Sequence, residues 1–186
     1  QGDVVLVHGG GGGLGQLMIS RLKALGAKVV TTASKKEKQD AARAQGADLV
    51  IDYTSNDFAE VLKENFPSGV RCVFDGIGKR TFLKGLSCLQ KKGTMVLYGN
   101  AGGEHPDPIA PTLLTQHGSL TLKRPALYDY VEDQPAFQKR LANVIELFLN
   151  GDINLNNLTV AGLEEAAAVH EAMLARQVVG KAILKI

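Results

Sequence analysis

A run of five glycines that begins at Gly9 constrains this chain more than any other segment. It directly follows the apolar stretch Val4–His8, which is typical of a buried β-strand, and directly precedes leucines that recur at helical spacing. Gly10, Gly12 and Gly15 satisfy a G-x-G-x-x-G pattern. In that pattern glycines permit a tight turn, the approach of a pyrophosphate to the backbone, and close packing of helix on strand. The segment therefore predicts a β–loop–α unit that binds a dinucleotide.

Short runs rich in valine and isoleucine alternate with longer amphipathic stretches as far as residue 125. This alternation predicts a doubly wound α/β Rossmann fold, a six-stranded parallel sheet with helices on both faces. The predicted strands are Val4–His8, Lys28–Thr32, Asp48–Ile51, Val70–Phe74, Thr94–Tyr98 and Ser119–Lys123. The predicted helices span Leu14–Leu25, Lys36–Gln45, Asn56–Phe66 with Ser55 as its cap, and Lys79–Gln90.

The pattern changes after Pro125. A helix is predicted over Pro135–Asn150, an extended piece over Leu155–Val160, a second helix over Leu163–Arg176 and a strand over Lys181–Ile186. We therefore divide the chain into a dinucleotide-binding Rossmann domain, residues 1–125, and a C-terminal α/β extension, residues 126–186.

Composition excludes several classes of protein. The 186 residues hold 21 Lys and Arg against 19 Asp and Glu, a net charge of +2, so a nucleic-acid partner is not expected. No segment reads as a membrane span or a signal peptide. Cys72 and Cys88 lie in apolar segments, a usage typical of a reduced, cytoplasmic protein. The four histidines lack metal-ligand spacing, so we predict no metal.

Three later loops also follow predicted strands and therefore lie at the same carboxyl edge of the sheet. They are Asp75–Gly78, Gly99–Gly103 and Lys123–Pro125. Ligands of open parallel sheets bind outside this edge, near the point where the strand order reverses. A flexible glycine turn without a ligand is the alternative, but the backbone entropy that so many glycines lose on folding disfavours it.

The end of the second predicted strand distinguishes between cofactors. An NAD site places Asp or Glu there to bind the ribose 2′-hydroxyl, whereas this chain has no acid between Thr31 and Glu37. A 2′-phosphate would instead be accepted by the hydroxyl and ammonium groups of Ser34, Lys35, Lys36 and Lys38. We therefore predict NADP(H). The alternative is a lysine-rich helix face that is only solvated. For Lys35 or Lys36 considered individually, this alternative is the better explanation.

Other glycine-rich families are disfavoured by missing residues. An NTPase loop needs Gly-Lys-Ser/Thr, but Gly78-Lys79 precedes Arg and Gly180-Lys181 precedes Ala. A short-chain dehydrogenase needs a tyrosine followed four residues later by lysine, and the four tyrosines here are followed by Asp, Gly, Glu and Gln. A methyltransferase would carry acids at the ends of the first two strands, and both are absent.

The whole chain resembles the cofactor-binding half of zinc-independent medium-chain dehydrogenase/reductases, in particular the NADPH:quinone oxidoreductase group that includes zeta-crystallin. The motifs that carry this resemblance are Val5-Leu6-Val7-His8 with the glycine loop, Ala24-Leu25-Gly26-Ala27, Gly46-Ala47-Asp48, Ile51-Asp52-Tyr53, Tyr98-Gly99-Asn100, Arg124-Pro125 and Gly180-Lys181-Ala182. Gly9 stands where the family usually has alanine.

The resemblance implies three groups of cofactor-binding residues. Gly12, Gly13 and Leu14 would contact the pyrophosphate. The adenosine ribose and its 2′-phosphate would be bound by Ser34, Lys38, Tyr53 and Arg176. The nicotinamide side would be lined by Ile77, Tyr98, Gly99, Asn100 and Arg124. A surface ring is the alternative for Tyr53, a left-handed turn residue for Asn100, and a helix C-terminal cation for Arg176.

The resemblance also implies an activity: hydride transfer from NADPH to a quinone or conjugated carbonyl, in a homodimer paired through the edge strand Ser119–Lys123. An enoyl or alkenal reductase is one alternative, and a non-catalytic NADPH-binding module, such as a sensor or a crystallin-like protein, is another. Family members carry a substrate domain before the first Rossmann strand, so we expect this chain to be a fragment and residues 126–186 to return to that domain. No catalytic residue is predicted in the chain itself.

Overall fold

The computed structural model describes residues 1–186. Six strands form one parallel sheet: β1 (Val4–His8), β2 (Lys28–Ala33), β3 (Leu49–Asp52), β4 (Val70–Asp75), β5 (Leu89–Leu97) and β6 (Thr121–Lys123). Their order is β3-β2-β1-β4-β5-β6, the doubly wound arrangement that the sequence predicts. The connecting helices are α1 (Gly13–Ala24), α2 (Lys36–Ala44), α3 (Phe58–Asn65), α4 (Phe82–Ser87) and α5 (Thr112–Gln116).

Apolar side chains cover both faces of the sheet. Along β1, Val5 and Val7 pack with Ile19 of α1 on one face, while Leu6 packs on the other face with Phe58 of α3. Each face is thus closed by helices, which explains why the strands read as continuous apolar runs.

Several local predictions are wrong. The predicted helix Lys79–Gln90 is shorter, because the turn after β4 extends to Thr81 and β5 already begins at Leu89. Ser119 does not begin a strand, since its φ of 58° is left-handed and β6 starts at Thr121.

Capping and helix content also differ locally from the predictions. The N-cap of α3 is Asp57 and not Ser55, because its carboxylate accepts the Ala59 N–H at 2.9 Å. Helix α5 (Thr112–Gln116) was not predicted.

Beyond residue 125 lie α6 (Gln134–Leu149), β7 (Leu158–Gly162), α7 (Ala166–Leu174) and β8 (Lys181–Lys185). Strands β7 and β8 form a separate two-stranded parallel sheet. Helix α6 buries none of its residues, and the side chains of Leu141 and Ile145 are 41% and 49% exposed. No helix of the chain has both the length and the apolar character that a membrane crossing requires.

Candidate functional site

The strand order reverses between β1 and β4, and a cleft of about 690 Å³ opens at their carboxyl ends. This volume is in the range of small-molecule and cofactor sites. Four basic side chains and a single acidic one line it, namely Lys38, Arg80, Lys84, Arg176 and Asp57. The cleft therefore suits an anionic ligand.

The glycine-rich loop is tightly folded against its surroundings. A Cβ on Gly10 would overlap the Thr31 side chain, and one on Gly15 would overlap the Gly9 carbonyl oxygen. A Cβ on Gly11 would lie 2.5 Å from the Lys38 Cβ. These glycines are required by packing, whereas a Cβ on Gly12 would meet nothing closer than 3.4 Å.

Two amide groups at the start of α1 remain free. The Gly12 N–H donates to the Gly9 carbonyl at 3.1 Å, and no side chain caps the helix. The N–H groups of Leu14 and Gly15 donate to no acceptor in the chain, whereas the Gly13 N–H faces the Gly180 carbonyl in the parallel bridge between Gly12 and Gly180. Free amides combined with the helix dipole make this end of α1 chemically suited to an anion.

A basic corner borders the loop. The Lys38 Nζ donates to the Arg176 carbonyl at 2.9 Å, and the Arg176 guanidinium donates to the Ala101 carbonyl at 3.0 Å. Burial lowers the pKa of Lys38, and the neighbouring cations Lys35 and Arg176 lower it further. No carboxylate pairs with any of these three cations, so their mutual repulsion is uncompensated within the chain.

His8 lies beneath the loop at the end of β1 and lines the cleft. Its Nδ1 lies 3.1 Å from Thr32 Oγ1, its ring meets Phe58 edge-on at 4.8 Å, and its Nε2 is buried without a partner. Burial lowers the pKa of His8 to about 4, while the charge of Asp75 acts in the opposite direction. The ring is therefore neutral near pH 7.

A buried carboxylate shapes the turn after β4. Asp75 accepts the N–H groups of Ile77 at 2.7 Å and Gly78 at 3.1 Å, and the Thr81 hydroxyl at 2.8 Å. These bonds fold the turn so that Ile77 lines the cleft. The same turn carries Arg80 to the cleft wall.

The structure brings six of the twelve predicted cofactor-binding residues to the walls of the cleft, which are Gly12, Ser34, Lys38, Tyr53, Ile77 and Arg176. The other six lie outside its walls: Gly13, Leu14, Tyr98, Gly99, Asn100 and Arg124. Contact of any of these residues with a cofactor stays a prediction.

The residues expected on the nicotinamide side have local roles. The Tyr98 ring lies against Gly76, where a Cβ would come within 2.7 Å of it, and burial raises the Tyr98 pKa to about 12. Asn100 is not left-handed, so that part of the alternative interpretation is wrong, although Asn100 does begin a turn in which its carbonyl accepts the Gly103 N–H at 3.0 Å. Its Oδ1 is buried without a partner. The Arg124 guanidinium reaches only the Pro125 carbonyl, at 3.5 Å.

Sequence reasoning missed the wall formed by the starts of α3 and α4. Lys84 bonds Asp57 at 2.5 Å and lies 5.8 Å from the centre of the Phe58 ring. Arg80 and Thr81 complete this wall. The signal in the sequence is the position of Arg80 and Thr81 shortly after the end of β4, at the carboxyl edge of the sheet.

Fold and site together define a Rossmann-type α/β domain of the dehydrogenase kind. Residues 13–148 match the family model described as "Zinc-binding dehydrogenase". The chain belongs to this family, which confirms the resemblance to medium-chain dehydrogenase/reductases.

Individual relatives agree with this assignment. The chain is 37% identical to 2-haloacrylate reductase from Burkholderia sp, over 98% of this chain and 55% of that protein. It is 33% identical to quinone oxidoreductase from Pseudomonas aeruginosa, over 98% of this chain and 56% of that protein. The solved structure of Escherichia coli quinone oxidoreductase complexed with NADPH superimposes with a TM-score of 0.88 at 31% identity, covering 99% of this chain and 57% of that one. The chain thus spans about half the length of the curated relatives it matches.

Proposed function

We propose that the chain is the NADP(H)-binding part of an oxidoreductase that passes hydride from NADPH to a quinone or a conjugated carbonyl. The basic corner carries the proposal: Lys38 and Arg176 meet beside the end of β2, with no carboxylate there to bind a ribose 2′-hydroxyl. A 2′-phosphate would supply the missing negative charge. The NADPH complex of the E. coli quinone oxidoreductase supports this choice of cofactor.

The free amides and the basic corner fit the two anionic parts of NADP(H). The Leu14 and Gly15 N–H groups would hold the pyrophosphate, and Ser34, Lys38 and Arg176 would surround the 2′-phosphate. When bound, the reduced nicotinamide would supply the hydride. The chain's own residues bind and orient the cofactor, and we propose that the groups touching the substrate belong to a separate substrate domain.

The remaining expectations concern the second part of the chain, the assembly and the metal. We propose that the apolar side of residues 126–186 packs against that substrate domain, that the protein is a cytoplasmic homodimer, and that it works without zinc. No three His, Cys, Asp or Glu side chains cluster closely enough to hold a metal ion.

Reduction of an activated carbon–carbon double bond is the second candidate. The 37% identity to a 2-haloacrylate reductase favours it. Fold and cofactor are shared between the two reactions, so only the substrate side distinguishes them. NADPH oxidation measured with quinones and with halogenated acrylates would separate the two, and binding without oxidation of either would favour a non-catalytic module.

Titration with NADPH and with NADH tests the cofactor assignment. We expect NADPH to bind at least tenfold more tightly, about 1.4 kcal/mol, and Lys38→Gln to remove most of that preference. Lys36→Gln is the matched control, because the Lys36 side chain is 82% exposed and pairs with Asp40. Equal or tighter binding of NADH to the wild-type chain would refute the assignment.

A further inference from the structure

Gln16 is a fully buried polar side chain in α1 to which the proposed function gives no role. Its Nε2 donates to the Gly11 carbonyl at 3.1 Å. Its Oε1 accepts the side-chain amides of Asn157 at 3.0 Å and Gln45 at 3.3 Å. Burial of an amide is costly unless its polar atoms are bonded, and here both ends of the amide are used.

The Gly11 carbonyl also receives a second donor from the C-terminal strap, which we define as residues 176–181. The Gly180 N–H donates to Gly11 O at 3.0 Å, and Gly12 and Gly180 form an isolated parallel bridge. The strap is closed onto Asn157, whose carbonyl accepts the Lys181 N–H at 3.0 Å. Loop, helix and strap therefore share one hydrogen-bonded network with Gln16 at its centre.

This network acts on the loop just before the free amides. With the Gly11 carbonyl held by two donors and the Gly13 N–H facing the Gly180 carbonyl, the backbone enters α1 in one orientation, and the Leu14 and Gly15 N–H groups stay unpaired. Preorganised donors bind an anion more tightly than donors that must first be ordered. Without Gln16, the carbonyl would lose one of its two partners and the loop would gain freedom.

We propose that Gln16 is a positioning residue that couples the C-terminal strap to the glycine-rich loop and thereby sets the amide donors for a pyrophosphate. The inference rests on the proposed function, because it assumes that the loop binds a dinucleotide. Gln16 itself touches no ligand. Its bonds act first on the pyrophosphate site that NADPH and NADH share, whereas Lys38 and Arg176 act on the 2′-phosphate. Because Arg176 begins the strap, loosening the strap also weakens the 2′-phosphate contact.

The test is Gln16→Met, which keeps the length of the side chain and removes its donor and acceptor. In the full chain we expect the dissociation constants for both NADPH and NADH to rise about tenfold, that of NADPH by at least as much as that of NADH. Ser20→Ala is the control, because Ser20 is a buried polar residue of the same helix that bonds only helix carbonyls. It is expected to leave both constants as they are.

Amide hydrogen exchange gives a readout that needs no cofactor. In Gln16→Met, the segments around residues 9–16 and 176–181 should exchange faster, while the central strands keep their protection. Asn157→Ala removes the side-chain bond from Asn157 to Gln16 and keeps the Asn157 carbonyl that accepts the Lys181 N–H. It should shift exchange and binding in the same direction by less. This second variant keeps the test decisive if the first does not fold.

Two results would overturn the inference: unchanged exchange at the loop in a folded Gln16 variant, or a loss of affinity for NADPH alone. Failure of the proposed function is a separate result, in which the wild-type chain binds neither nucleotide although the exchange effect of the substitution is present.

Discussion

At the scale of single residues, His8 shows how burial sets the chemistry of the cleft. Its side chain is 2% exposed, and its pKa falls to about 4 because the protein around it solvates a charged ring poorly. The ring is held in place by Thr32 of β2 and by Phe58. Its place on the cleft wall was not predicted, because a residue that closes an apolar strand gives no sign of which neighbours surround it.

His8 is expected to make the free energy of unfolding depend on pH. The unfolded histidine titrates near 6.5 and the folded one near 4, so the unfolded state binds the proton first as the pH falls. The contribution of the neutral ring to the free energy of unfolding is complete above pH 6.5. It declines as the pH falls toward 4 and stays constant below that pH, and the total loss is on the order of 3 kcal/mol.

Urea unfolding across that pH range checks this expectation. His8→Asn should be less stable near neutral pH and should show a flatter decline. The comparison isolates the ring, because the carboxylates whose pKa values are lowered, such as Asp48 and Asp57, titrate at lower pH. An equal slope in both proteins would contradict the prediction.

At the scale of elements, the sequence predicts what depends on periodicity and misses what depends on side-chain bonds. The six strands and α1 to α3 follow from apolar spacing and from stops at Gly26 and Gly46, both with positive φ. The start of α4 does not, because Asp75 and Thr81 hold the preceding residues in a turn. Helix α5 is too short for any period to be visible.

The same distinction applies to the site. The sequence predicts the corner formed by Ser34 and Lys38, because both residues lie next to the end of a strand. Only the family resemblance predicts that Arg176 belongs to the same corner. The hydrogen-bonded network around Gln16 cannot be predicted from the sequence, because its partners Gln45 and Asn157 are far away along the chain. Long-range polar contacts carry no local pattern.

Within the β1–loop–α1 element, two glycines should respond differently to alanine. Gly15→Ala places a Cβ on the Gly9 carbonyl oxygen, and we expect a loss of about 1–3 kcal/mol of unfolding free energy. Gly12 has a φ of −84° and open space around it, so Gly12→Ala should change stability by less than about 0.5 kcal/mol.

The two alanine substitutions should also differ in their effect on cofactor affinity. Because the open side of Gly12 faces the cleft, a methyl group there would stand in the path of a pyrophosphate, and we expect at least a tenfold weaker binding of NADPH. Thermal denaturation and calorimetric titration measure the two effects. Full affinity in Gly12→Ala would show that no ligand approaches this backbone.

At the scale of the whole molecule, the two parts of the chain are joined at few points. Arg21 of α1 bonds Asp152 after α6 at 2.5 Å, and the C-terminal strap bonds the glycine-rich loop. The basic corner depends on both parts, since Lys38 belongs to the first and Arg176 to the second. An oligomer that buries further surface would add to the stability of this arrangement.

The free edge of β6 is where we propose the homodimer forms. β6 is the last strand of the sheet, and a strand edge with unpaired backbone groups is a template for pairing with a second copy. In an antiparallel pair centred on Leu122, Thr121 of one subunit would lie opposite Lys123 of the partner subunit. Thr121 is exposed, so its substitution spares the core.

Opposite charges at Thr121 should therefore have opposite effects on the dimer. Thr121→Lys places like charges across the interface twice and should raise the dimer dissociation constant at least tenfold, whereas Thr121→Glu should preserve or lower it. Sedimentation analysis at low and high salt measures both, and the difference should shrink at high salt because exposed charges are screened. If the two variants associate equally, or if the wild-type chain is a monomer at every concentration, β6 is not the interface.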